Sequence, residues 1–226
     1  MPSRLSIVIP TLNEAATIHA TLASLQALRG RGVEVIVADG GSIDGTAALA
    51  AGLACRVTDA PRGRALQMNA GVVAAQGETL LFLHADTLLP AGADRCVLDG
   101  LAASGKCWGR FDVSIAGQPW LLRVVAWLMN RRSRWTGIAT GDQAIFVRRE
   151  VFQSLGGFPD QPLMEDIELS KRLRRLGRPL CLRERAVTSG RRWEARGVWR
   201  TIWLMWRLRW LYWRGVAAER LAEEYQ

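Results

Sequence analysis

The chain has 226 residues, 49% of them hydrophobic, enough to fill the core of one large domain unaided. Its four cysteines, Cys55, Cys96, Cys107 and Cys181, form no CxxC pair and its histidines are only His19 and His84, which argues against a structural zinc site or a disulfide framework; the cysteines read as buried thiols in a reducing cytoplasm. The net charge of +9 points to an anionic partner, but the bases crowd the carboxyl half and ordered acids punctuate the rest, which argues against a polyanion such as nucleic acid.

Arg4 leads straight into the β-branched run at 5–9, too short and strand-like for a secretory leader, so the protein is expected inside the cell. A second such run lies at 33–37. Between them Ile18, Leu22, Leu25 and Leu28 recur at helical spacing, with Asn13 or Thr11 as cap and Gly30 and Gly32 at the end. The alternation continues with a helix at 44–53, a short strand at 56–58, a helix at 64–75 and an apolar strand at 79–83. Such a pattern builds a mostly parallel sheet covered on both faces. Beyond Pro90 it predicts a helix to about residue 103, a strand at 108–115, an apolar stretch at 120–129 and a strand at 144–147. A helix follows at 165–176, with Leu169, Leu173 and Leu176 facing in.

Acids fall where predicted strands end or helices begin: Asn13-Glu14, Asp39, Asp86 and Glu165-Asp166. In open α/β sheets that carboxyl edge is where ligands bind. Asp39 is followed by Gly40 and Gly41, which let the backbone approach a ligand closely, though such a pair is by default a tight turn. Asp86 leaves a buried strand where a carboxylate can hold Mg2+ or Mn2+ bridging phosphates, or equally cap a helix. Asp142 and Gln143 follow Gly141, and Glu165-Asp166 either supplies a general base or complements a helix dipole. Arg64 opens a helix between two of these stations, where it can pair with phosphate.

The order of motifs resembles the family 2 glycosyltransferases: Ser-Ile-Val-Ile-Pro-Thr-Leu-Asn-Glu at 6–14, Ala-Asp-Gly-Gly-Ser-Ile-Asp-Gly-Thr at 38–46, Gly-Arg-Ala-Leu-Gln-Met-Asn-Ala-Gly at 63–71, His-Ala-Asp at 84–86, Gly-Asp-Gln at 141–143 and Glu-Asp at 165–166. The likeness spans roughly residues 5–180. It implies the GT-A fold, a Rossmann-like, mostly parallel sheet flanked by helices, and an inverting transfer of one sugar from a nucleotide-diphosphate sugar to an acceptor hydroxyl. It implies that Pro10, Thr11, Asn13, Glu14, Asp39, Gly40, Arg64, Asn69, Asp142 and Gln143 surround the donor, that Asp86, with His84, holds Mn2+ or Mg2+, and that Asp166, beside Glu165, is the base. The family's metal motif commonly reads Asp-x-Asp, and His84 replaces its first acid here. Either Asp86 suffices, with His84 acting through water or on the ribose, or the chain is a degenerate scaffold. A nucleotidyltransferase is the other enzymatic reading, against which stands Pro10 to Glu14 in place of a glycine- and base-rich phosphate loop. The Gln-x-x-Arg-Trp motif of processive synthases is missing, with Arg191-Arg192-Trp193 near its place, which favours a single transfer.

Residues 1–190 are thus expected to form the catalytic domain and 191–226 a helical extension. Trp199, Trp203, Trp206, Trp210 and Trp213 recur at alternating steps of four and three, flanked by Arg196, Arg200, Arg207 and Arg214, while Leu204, Leu208 and Leu211 cover another side. The arginines argue against a transmembrane span. One face docks on the domain and the other on a bilayer headgroup zone, or the stripe is a dimer seam. Trp120 to Met129, followed by Arg131, Arg132 and Arg134, is a second such stretch. The reading is a peripheral protein on the inner face of the cell membrane, its active site over a lipid-borne acceptor.

Overall fold

The computed structural model describes residues 4–225. Its first half alternates strand and helix: β1 (Leu5–Thr11), α1 (Ala15–Ser24), α2 (Gln26–Arg29), β2 (Glu34–Asp39), α3 (Thr46–Ala51), β3 (Arg56–Asp59), α4 (Arg64–Ala74) and β4 (Thr79–Phe82). The second half runs β5 (Thr87–Leu88), α5 (Ala93–Ser104), β6 (Trp108–Ala116), α6 (Leu121–Thr136), a 3-10 turn at Gly141–Gln143, β7 (Phe146–Arg148), α7 (Arg149–Ser154), α8 (Glu165–Leu176) and β8 (Leu180–Ser189). Three helices follow: α9 (Arg191–Arg196), α10 (Val198–Trp213) and α11 (Ala218–Tyr225).

One eight-stranded sheet, ordered β3-β2-β1-β4-β7-β6-β8-β5, carries all of this. Strands β3, β2, β1 and β4 are parallel, β7 is antiparallel to both neighbours, β6 and β8 are parallel, and β5 closes antiparallel on β8. Buried along its whole length, β1 has the continuous apolar sequence of a central parallel strand. Alternate residues feed two cores. Ile7, Ile9, Val35 and Val37 pack with Ile18, Leu22, Leu25 and Leu28 on one face; Val8, Ile36, Leu80 and Phe82 pack with Met68, Val72, Leu169 and Leu173 on the other. Helix α4 lies so close to β1 that a Cβ on Gly71 would sit 2.4 Å from Val8 Cγ1. The C-terminal helices pack back on the body: Val198 and Ile202 against Leu122, Val125 and Ala126, and Leu208 and Leu221 against Leu163, Met164 and Ile167.

Several expectations need correction. Neither Asn13 nor Thr11 caps α1, whose first residues are capped from the next loop: Ala15 N–H donates to Asp44 Oδ2 at 3.0 Å and Glu14 N–H to Thr46 Oγ1 at 2.8 Å. Leu176 is 55% exposed, because α8 ends at that residue and the chain turns away at Gly177. The cysteines are not core thiols: Cys55 is exposed and the other three half-buried.

Candidate active site

The carboxyl ends of β1 and β4, with the amino ends of α4 and α8, open on a cavity of about 860 Å3. Behind its wall the β2 terminus is tied down. Asp39 accepts hydrogen bonds from Thr11 Oγ1 (2.9 Å), Ser42 Oγ (2.6 Å), Ser42 N–H (2.8 Å) and Gly41 N–H (3.1 Å). Burial by itself would raise the Asp39 carboxyl, but these donors hold it below the usual carboxylate range. Asn13, at φ 54°, clamps the neighbouring loop: its N–H donates to Ser42 Oγ and its Oδ1 accepts from Ile43 N–H. Gly40 is held against Gln67, whose amide donates to the carbonyls of Thr11 and Ala38; a Cβ on Gly40 would lie 2.9 Å from that amide nitrogen.

Across the cavity, Gly63 takes φ 138° ahead of α4, and Arg64 Nη1 reaches Glu165 Oε1 at 3.1 Å. Glu165 is only 2% exposed, so the guanidinium neutralises a carboxylate that would otherwise be buried alone. Its neighbour Asp166 accepts Gly141 N–H at 2.7 Å and Ile167 N–H at 2.7 Å. Burial, and then the adjacent Glu165 charge, push the Asp166 carboxyl up to about 6, against the pull of those amides and of Arg64. Asp142 is 3.3 Å from His84 Nδ1, and although burial opposes it, the His84 hydrogen bond holds this carboxyl below its usual range. The imidazole packs close on Gly141, where a Cβ would be 2.3 Å from Nε2.

Asp86 is part-exposed on the cavity, and Arg191 of α9 stands 3.9 Å from its Oδ2 and 3.8 Å from Glu14 Oε2. Pro10, Thr11, Glu14, Arg64, His84, Asp86, Asp142, Glu165 and Asp166 all line the cavity. Asn13, Asp39, Gly40, Asn69 and Gln143 do not, and they support the wall from behind. Asn69 exchanges hydrogen bonds with the Phe158 backbone at 2.9 and 3.0 Å. Gln143 is fully buried and bridges Thr140 N–H to Asn130. Three non-glycine residues among those described take positive φ, namely Asn13, Ala144 and Met164, and each is at or beside one of these positions. Backbone strain gathered in this way is usual around sites.

The motifs did not single out Gln67, although it lies inside one of them, nor the apolar wall of Leu163, Met164, Met205 and Leu208. That wall is built by packing between the loop before α8 and the distant α10, which no local pattern announces. Among the described residues no three acids, histidines or cysteines are placed so that they could hold one metal ion together. Mg2+ and Mn2+ that arrive on a diphosphate need one or two protein carboxylates and keep water on their other sites. Asp86 presents one such carboxylate to the cavity, 3.9 Å from Arg191, and His84 lies beside it with Nδ1 3.3 Å from Asp142.

The architecture, with the cavity at the carboxyl edge of the sheet, defines the GT-A glycosyltransferase fold. The structure aligns with S. aureus TarS in complex with UDP at a TM-score of 0.67 and 17% identity, over 82% of this chain and 60% of that one. A mannosyltransferase from Pyrobaculum calidifontis, in complex with GDP-Man and Mn2+, aligns at 0.58 and 26% identity, over 82% of this chain and 56% of that one. The sequence profile of glycosyl transferase family 2 matches residues 6–155, and the chain belongs to that family. It is 32% identical to a PGL/p-HBAD biosynthesis glycosyltransferase of Mycobacterium tuberculosis, over 68% of this chain and 62% of that protein. It is 27% identical to the probable glycosyltransferase YdaM of Bacillus subtilis, over 88% of this chain and 54% of that protein. The chain therefore spans little more than half of these relatives' length.

Proposed function

We propose that the protein moves one sugar from a nucleotide-diphosphate sugar to an acceptor hydroxyl with inversion at the anomeric carbon. The observation that carries this is Asp166, which lines the same cavity as Arg64 and Asp86 and is held there by the amides of Gly141 and Ile167; burial and the Glu165 charge push its carboxyl up to about 6. A base poised there is ionised at neutral pH yet still basic enough to take a hydroxyl proton in the transition state.

Pro10, Thr11 and Glu14 form the nucleotide wall, with Asp39 and Asn13 fixing its backbone from behind. Asp86 would hold a divalent ion, whose chemistry when bound is to neutralise the departing diphosphate. Arg64 adds a fixed positive charge on the same group. Asp166 takes the acceptor proton as the acceptor oxygen bonds to the anomeric carbon and the bond from that carbon to the diphosphate oxygen breaks. Glu165 keeps Arg64 in place and keeps Asp166 basic. The apolar wall from Met164 to Leu208 suits an acceptor with an apolar body, which supports a lipid-borne hydroxyl and a peripheral position on the inner face of the cell membrane. The related mycobacterial protein, whose name places it in PGL/p-HBAD biosynthesis, supports glycosyl transfer as the chemistry.

The test is D166N, assayed for donor binding and for turnover, including slow donor hydrolysis. The reading expects binding within a few-fold of wild type and turnover lower by about 10²- to 10⁴-fold, the usual contribution of a general base. Equal turnover in the two proteins would remove Asp166 from the chemistry.

A further inference from the structure

Two helices far apart in sequence meet at one seam and carry eight exposed tryptophans outward. Val198 and Ile202 of α10 pack on Leu122, Val125 and Ala126 of α6. The five tryptophans of the α10 stripe are 55–77% exposed. On α6 and its first turn, Trp120, Trp127 and Trp135 are 57–75% exposed, with Val124 and Leu128 between them. Single exposed apolar residues are ordinary, but eight exposed indoles on two adjoining helices mark an interaction surface.

Charge decides the kind of partner. The segments 113–141 and 195–218 contain no aspartate or glutamate, while arginines recur in both; Arg207 is paired with Glu224 of α11 at 3.3 Å, and Arg131, Arg200 and Arg214 carry the outward charge. Arg131 lies 5.4 and 5.7 Å from the ring centroids of Trp127 and Trp135, Arg207 lies 5.5 Å from Trp203, and Arg214 lies 5.3 Å from Trp210. A second copy of this surface would bring arginine against arginine. Indoles interleaved with guanidinium groups match the headgroup boundary of a bilayer, where both are favoured, and the lack of acids matches an anionic one. No helix among the described residues is long and apolar enough to cross a membrane, so α6 and α10 would lie in the interface plane.

We infer that α6 and α10 together form a docking platform for anionic bilayers. This deepens the peripheral-membrane part of the proposed function and rests on it. Helix α10 is also a wall of the cavity through Met205 and Leu208, on the side opposite its tryptophans. Docking therefore sets the acceptor wall a helix diameter, about 10 Å, from the headgroups. An amphiphilic acceptor then reaches Asp166 with its apolar part still near the bilayer.

The experiment is co-sedimentation of the full chain with phosphatidylcholine vesicles, with and without about a third phosphatidylglycerol. Wild type is expected to bind the anionic vesicles at least about a hundredfold more tightly. R131Q/R200Q/R214Q should lose about a hundredfold on anionic vesicles, near fivefold for each arginine, and little on neutral ones. W203A/W206A/W210A should lose binding to both. None of these six residues lines the cavity, so nucleotide-sugar binding in solution should be unchanged, which separates failure of the platform from failure of the transferase reading. Equal binding of wild type and both variants to anionic vesicles would overturn the inference. So would light scattering that shows a wild-type dimer dissociated by the tryptophan changes, or single-stranded DNA that displaces the protein from vesicles by competing for the same tryptophans.

Discussion

Gly141 is the position where packing, the His84–Asp142 pair and the base converge, and replacing it with alanine isolates their coupling. Its φ is not positive, so alanine meets no backbone penalty of the left-handed kind. The new Cβ would stand 2.3 Å from His84 Nε2 and 2.5 Å from Cε1, where ordinary contact begins at 3.4 Å. The ring must retreat by about 1.1 Å, the difference between 3.4 and 2.3 Å. It then loses the 3.3 Å approach to Asp142. Overpacking of this kind costs about 1–3 kcal/mol, and a lost hydrogen bond about 0.5–1.5 kcal/mol. We expect G141A to lose roughly 2–3 kcal/mol of stability in urea unfolding. In an H84A background the same change should cost under about 0.5 kcal/mol, a coupling of about 2 kcal/mol between the two sites. Additive effects, within about 0.5 kcal/mol, would show that His84 does not rest on Gly141 and would reopen the cavity for it.

The remaining expectations concern charge. If Asp166 is the base, kcat/KM should rise with pH through about 6; E165Q should move that limb to lower pH by removing the like charge, and R64Q to higher pH by removing the opposite one. A limb that ignores both changes would detach Asp166 from the rate. The Asp166 carboxyl is higher folded than unfolded, so the native state keeps its proton longer and stability falls as pH rises from about 4 to about 6. Melting temperatures of D166N and wild type should accordingly diverge in favour of D166N across that window; a constant gap would contradict the raised value. R64M leaves Glu165 buried without its partner and should destabilise by roughly 3 kcal/mol, most of which R64M/E165Q should restore, as read from urea midpoints. Q67L removes the amide that joins the Thr11 and Ala38 carbonyls and should weaken nucleotide-sugar binding by calorimetry; unchanged affinity would relieve Gln67 of any part in shaping the nucleotide wall.

Much of the first half was legible because β1, β2 and β4 are apolar runs and the first helical stretch keeps strict spacing, as at Ile18, Leu22, Leu25 and Leu28. The acids at strand ends were legible for the same reason: a charge that stops a buried run must lie at the sheet edge. Strand β8 was not foreseen, because Arg183, Glu184 and Arg185 in its middle are exposed and give it neither an apolar run nor clean alternation. The division of motif residues between wall and support was also beyond pattern reading. Asn69 and Gln143 look like ligand-binding amides, but their partners, Phe158 and Asn130, are set by tertiary packing. Arg191 shows the same limit. Its approach to Glu14 and Asp86 depends on where β8 delivers the chain, far from either acid in sequence.

The central claim is that this cavity binds a nucleotide-diphosphate sugar through Asp86 and a divalent ion. Calorimetric titration of purified protein and of D86N with UDP-, GDP- and dTDP-sugars, in Mn2+, in Mg2+ and with chelator, tests it most directly. One nucleotide should bind wild type with metal, with affinity falling at least tenfold with chelator and in D86N. Failure of every donor to bind under any of these conditions, or binding indifferent to both metal and Asp86, would contradict it.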